Sequence, residues 1–203
     1  MKYFLTIALF SFASVAASQQ FPSDFWHTGK LVLTDGDTLN GKIKYDLPRD
    51  LVQLEIDNQI LTYGAKKILF FEIFDVTVNT YRQFYSILYS VSQGYKTPIL
   101  FEVLYEGKLS LLTRESIIQK TSHYNNYYWS GSTYTRKVLT YDYFFLTSKG
   151  EMIFYTEKKK DLLVIMKDRA GEIKAYIKTH NLKVDRRGDL ARITAYYNSI
   201  IES

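Results

Sequence analysis

The 203-residue chain contains no cysteine. Disulfides, thiol catalysis, thiolate metal centres and a lipid-modified N-terminal cysteine are therefore excluded. Proline is limited to 3 residues and glycine to 10, which leaves no room for a Pro-rich linker or a Gly-rich flexible segment. Histidine is equally scarce. His27, His123 and His180 fall at a strand entrance, in a loop and near a helix end, and none has a second ligand at metal-site spacing. No metal or cofactor is expected. A Gly-x-Ser-x-Gly nucleophile elbow is missing, and Ser130–Gly131–Ser132 reads as a flexible loop. Basic residues are not clustered by themselves: Lys158–Lys160 lie beside Glu157 and Asp161, and Arg186–Arg187 between Asp185 and Asp189. Mixed signs of this kind mark solvated helix ends. With no nucleic-acid module in the sequence, nucleic acid is not an expected partner.

The one long apolar run lies at the start, MKYFLTIALFSFASVAASQQ. A positive Lys2, an apolar stretch from Phe4 to Val15 and the small residues Ala16, Ala17 and Ser18 have the layout of a secretory signal peptide. The run is shorter than the roughly 20 residues of a spanning helix. Cleavage after Ala17 or Ser18 gives residues 1–18 as signal peptide and 19–203 as one domain, exported to a periplasm, the outer-membrane periphery or the cell exterior. No second run is long enough to span a membrane, and the helical ending YYNSIIES is not the aromatic-tipped final strand of an outer-membrane barrel.

What the chain has in quantity is aromatic residues, 18 tyrosines and 13 phenylalanines. With few breakers, they favour long strands in a packed sheet. From Lys30 to Tyr155 the hydrophobic period is mostly two. In TLNGKIKY, Leu39, Gly41, Ile43 and Tyr45 share one face and Asn40, Lys42 and Lys44 the other. LVQLEID repeats the alternation, and KILFFEIFD is apolar on both sides except at Glu72. Turns are expected at Asp35–Gly36, Asp57–Asn58, Glu106–Gly107 and Lys149–Gly150. The reading is nine or ten antiparallel strands forming a barrel or sandwich. FFEIF and LFEVL look alike, but their flanks differ, so they are strands of similar composition and not a repeat.

At Lys158 the period changes to that of a helix. Leu162, Leu163, Ile165 and Met166 form one face, then Ile173, Tyr176 and Ile177, then Leu190, Ile193, Tyr197, Ile200 and Ile201. Two or three helices are expected over 158–203, packed on the sheet, with Asn181 as a left-handed residue ending one of them.

Three segments resemble a group of uncharacterised exported proteins from Bacteroidota: GKLVLTDGDTLNGKI, FEVLYEGKLSLLTRE and KKDLL…IKAYIKTHNLKV…DLARITAYYNSI. Those share a GDTxxGxI strand turn, a Lys-Asp-Leu-Leu helix and a Tyr-Tyr-Asn-Ser end. The resemblance implies export and a single domain, and it implies no activity.

Candidate chemistry is sparse. TDGDTLNGKI has aspartates at positions one and three of a calcium loop, but Leu39 falls at position five and the glycine comes one residue late. A hairpin turn of type I′ is the better reading. Glu72 and Glu102, in similar strands, are the candidate pair for a carboxylate-dependent, glycan-directed hydrolase. Their alternative is ion pairing with Arg82 or Arg114, and Glu115 is a third carboxylate in an apolar strand. The most distinctive stretch is HYNNYYWSGSTYTR, where Tyr124, Tyr127, Tyr128, Trp129 and Tyr134 stand among Asn, Ser, Gly and Thr. That mixture suits a binding surface: aromatics give rigid contact area and the small polar residues give hydrogen bonds. The alternative is a long hairpin whose tyrosines simply pack. The expected function is an exported, non-catalytic binding or interaction protein using the aromatic loop 123–136, with an envelope protein or a glycan as partner. The alternatives are the hydrolase and a structural subunit of a cell-envelope assembly.

Overall fold

The structure is a computed structural model that describes residues 20–92, 94–126 and 129–201, with the backbone alone at 91–92, 123–126 and 129–132. The expected signal peptide lies outside the described residues. Ten strands follow in order: β1 (His27–Leu33), β2 (Thr38–Asp46), β3 (Leu51–Ile56), β4 (Gln59–Gly64), β5 (Ile68–Asp75), β6 (Thr80–Ser92), β7 (Tyr95–Tyr105), β8 (Leu109–Asn126), β9 (Trp129–Thr147) and β10 (Met152–Tyr155). They form one antiparallel sheet in the order β10-β9-β8-β7-β6-β5-β1-β2-β3-β4, and not the two sheets of a sandwich. Two meanders, β1–β4 and β5–β10, are joined where β1 pairs with β5.

The expected turns form, each by its own chemistry. At Asp57–Asn58 both residues have positive φ and Ile56 pairs with Gln59, the two-residue type I′ geometry. Thr34–Gly36 differs from the expected type I′ turn. Gly36 alone takes positive φ, Gly36 N donates to Leu33 O, and the Asp35 carboxylate accepts from Asp37 N at 3.2 Å. This is a three-residue loop, a type I turn followed by a left-handed glycine. Asp35 spends its side chain on its own backbone, as an Asx turn does.

The sheet curls strongly about one inner face. Leu31, Ile43, Val52, Leu54, Phe71 and Phe84 are buried there on β1, β2, β3, β5 and β6. Over the last strands the same face is covered by α1 (Lys159–Ile165), α2 (Ala170–Thr179) and α3 (Arg187–Ile201). Leu162, Ile173, Ile177, Leu190, Ile193 and Tyr197 supply the buried helical stripe against Leu111, Phe145 and Tyr155. Burying one such side chain stabilises by about 1.5–3 kcal/mol, so packing holds these short helices in place more than propensity does. Asn181 ends α2 at φ 50°, with Leu182 N bonded to Ile177 O, a Schellman closure. Asn198 of α3 reaches the β7–β8 turn, accepting from Leu109 N at 3.0 Å and donating to Leu109 O at 2.9 Å. The approach is close: a Cβ on Gly107 would lie 2.6 Å from the Asn198 Oδ1.

β7 and β8 pair only where Glu102–Tyr105 meets Leu111–Thr113. Beyond that they part, and the β2–β3 corner wedges between them. Asp50, left-handed at φ 53°, accepts from Leu100 N at 2.8 Å and from Arg114 at 2.7 Å. Arg114 also donates to Leu100 O and Leu47 O. This seam ties the β2–β3 corner to β7 and β8, which lie far from it in the sheet, and closes the curl.

Candidate functional site

Charged residues occupy the inner face between the two apolar halves. Arg82 on β6 is 4% exposed and reaches three carboxylates. It donates to Asp75 at 2.9 Å, to both oxygens of Glu102 at 2.9 and 2.7 Å, and to Glu115 at 2.8 Å. Arg187, at the start of α3, donates to the same two oxygens of Glu102. Tyr45 on β2 accepts from Arg82 at 2.8 Å and donates to Glu115 at 2.7 Å, bridging strands five places apart in the sheet. The register explains the gathering. Arg82 stands opposite Ile73, Phe84 opposite Glu102 and Glu102 opposite Thr113, so all of them point inward. Removing such groups from water is costly unless each finds a partner, and here the guanidinium fork of Arg82 supplies most of the partners.

His27 sits beside this cluster, fully buried and stacked on Tyr45. Its Nε2 donates to Pro22 O at 2.8 Å, because a carbonyl can only accept. Its Nδ1 has no hydrogen-bond partner and lies 4.0 Å from Asp75 Oδ1.

Burial alone would raise the pKa of Glu102, but hydrogen bonds from Arg82 and Arg187 outweigh it and hold the carboxyl below its usual range. Asp75 is lowered likewise, its burial offset by Thr77 and Arg82. A carboxylate depressed in the folded state adds stability above its unfolded pKa and loses it as pH falls through the folded one. Stability is therefore expected to fall as pH drops below about 4. Urea midpoints between pH 7 and pH 2 would show it, and a protein that gains stability on acidification would contradict the assignment.

A cavity of about 620 Å³ adjoins the cluster, lined by Tyr45 and Glu115 from inside and by Asp24, Lys44, Arg49, Gln53, Ile117 and Leu139 around it. It lies between the β2–β3 corner and the root of the β8–β9 hairpin.

The residues singled out in the sequence fall in three places. Glu102 is buried in the cluster. Glu72 lies on the outer face, bonded to Gln83 at 2.6 Å and 3.4 Å from Lys30. The sheet itself separates the two, so they are not brought together. The segment 123–136 lies along the far end of the β8–β9 hairpin, with Asn126 paired to Trp129 and Tyr124 to Ser132. Tyr134 is 65% exposed. The side chains of Tyr124 and Trp129, and all of Tyr127 and Tyr128, lie outside the described residues. The ion pair of Glu102 with Arg82 is the alternative that the sequence offered, and it forms; what sequence reading missed is the set that Tyr45, Asp75, Glu115 and Arg187 complete around it. Its signal was inward parity: Arg82 and Phe84 alternate on one face of TYRQFY, which places a cation where an apolar residue is usual.

No family model, curated protein or solved structure matches the chain. Among the described residues, no cluster of His, Asp or Glu has metal-binding geometry and no helix is long and apolar enough to cross a membrane.

Proposed function

We propose that the chain is an exported, non-catalytic binding protein that engages an envelope protein or a glycan through the outer part of the β8–β9 hairpin. The observation that carries this is the hairpin's reach. From Ser116 to Asn126, β8 pairs with β9 alone, a ribbon about 35 Å long at the usual strand rise. A two-stranded ribbon is marginally stable in water and leaves both edges open to pairing. Its described side chains are exposed from Ile117 to Ser122 and from Thr133 to Lys137, including Ile117 at 39%, Ile118 at 46% and Tyr134. The core does not need this length, so its retention points outward, to a partner. The separation of Glu72 from Glu102, and the two guanidiniums on Glu102, weigh in the same direction, because a general acid needs a raised pKa and a carboxyl free to reach substrate.

The test is a shortened hairpin, with residues 118–138 replaced by Asn-Gly. The processed chain is expected to keep its melting temperature within a few degrees and to stop co-sedimenting with the native envelope fraction. Unchanged co-sedimentation would refute the hairpin as the contact.

A further inference from the structure

The hairpin breaks a rule that the rest of the sheet obeys. Among the described strand pairs, two charged residues stand directly opposite one another at Lys30–Glu72, Lys42–Glu55, Arg114–Asp142 and Lys120–Arg136. The first three pairs join opposite signs. Lys120–Arg136 joins two cations, an arrangement that destabilises a ladder. Neither has a carboxylate partner among the described residues, and both are exposed. From Ser116 to Thr140 the sequence carries Lys120, Arg136 and Lys137 and no acidic residue at all. Edge lysines that only prevent aggregation need no like-charged neighbour across the ribbon.

We propose that this rung of the hairpin seats a linear anionic polysaccharide. The inference rests on the hairpin reading above and names its partner class. Lys120 and Arg136 share one face with the next rung, Ser122–Tyr134. A carboxylate or sulfate between the two cations relieves their repulsion, and a sugar ring two residues on meets the Tyr134 ring and the Ser122 hydroxyl. Exposed rings offer sugars a flat apolar face with a polar rim. A lipid surface fits less well, because the Lys–Arg rung interrupts the apolar residues Ile118 and Tyr134, leaving no continuous stripe to insert. An acidic protein would want a larger apolar centre than this face shows.

Affinity electrophoresis of the processed chain through polygalacturonate tests this, with neutral dextran, phosphatidylglycerol vesicles and polyglutamate as comparisons. Retardation by polygalacturonate and none by dextran is expected. The double variant K120Q/R136Q should lose at least tenfold in affinity, whereas K174Q/K178Q, on the helical surface, should not. Equal retardation of K120Q/R136Q and the unaltered chain would overturn the proposal, as would binding to the vesicles or polyglutamate without binding to polygalacturonate. The two readings fail separately. If the shortened hairpin abolishes envelope association while K120Q/R136Q retains it, the hairpin is the contact and the polyanion is wrong.

Discussion

Replacing Arg82 by methionine is expected to cost about 3–5 kcal/mol, the usual penalty for removing one partner of a buried ion pair. The methionine fills much of the same volume, so the loss is electrostatic. Asp75, Glu102 and Glu115 would lose the cation they share, and Tyr45 would lose a donor. Glu102 would keep Arg187. Asp75 would keep Thr77, and Glu115 would keep the Tyr45 hydroxyl. For a domain whose whole stability is about 5–15 kcal/mol, the variant should unfold at far lower urea or fail to accumulate. Glu72→Gln, on the outer face, should change stability by less than about 0.5 kcal/mol, as surface substitutions usually do. Urea titrations of both variants check the pair, and a loss below about 1 kcal/mol at Arg82 would mean the cluster is not what joins the two halves of the inner face.

The second large effect is expected at Arg187. Its guanidinium shares the two oxygens of Glu102 with Arg82 and sits over the Tyr141 ring at 5.6 Å. Hydrogen bonds to a charged group are worth about 1.5–3 kcal/mol, so Arg187→Ala should cost about 2–3 kcal/mol. The consequence is local as well as global. Arg187 begins α3, and that helix also clamps the β7–β8 turn through Asn198. Amide exchange along α3 should accelerate more than along β5 and β6. Arg187→Lys should recover only part of the loss, because an ammonium lacks the planar fork that matches two carboxylate oxygens. Uniform acceleration across the sheet would show that Arg187 is not specific to docking the helix.

The mainly β architecture and its helical ending were legible because periodicity is local. Period two along β2 and β3, and the stripes on α1–α3, need only a window of residues to read. The strand order was not legible, since the β1–β5 pairing joins segments that turn chemistry does not connect. Glu72 and Glu102 show the limit most clearly. FFEIF and LFEVL present the same pattern, yet one carboxylate faces out and the other in. Apolar residues on both sides of each glutamate remove the alternation that would fix its facing. Once the inward register of Arg82 is known, Glu102, Asp75 and Glu115 follow, but that register is set by long-range pairing. Tyr45 meeting Glu115 depends on the curl of the whole sheet. The Thr34–Gly36 turn was legible as a turn and not as a type, because Asp35 competes for the backbone with its own side chain.

The hairpin as contact is tested most directly in the living envelope. A photo-crosslinking benzoylphenylalanine placed at position 134, on the exposed hairpin face, should give a defined cross-linked adduct with an envelope component. The same probe at position 178, on the outer side of α2, should give none. Adducts from position 178 and none from position 134 would contradict the account and move the contact to the helical side of the molecule.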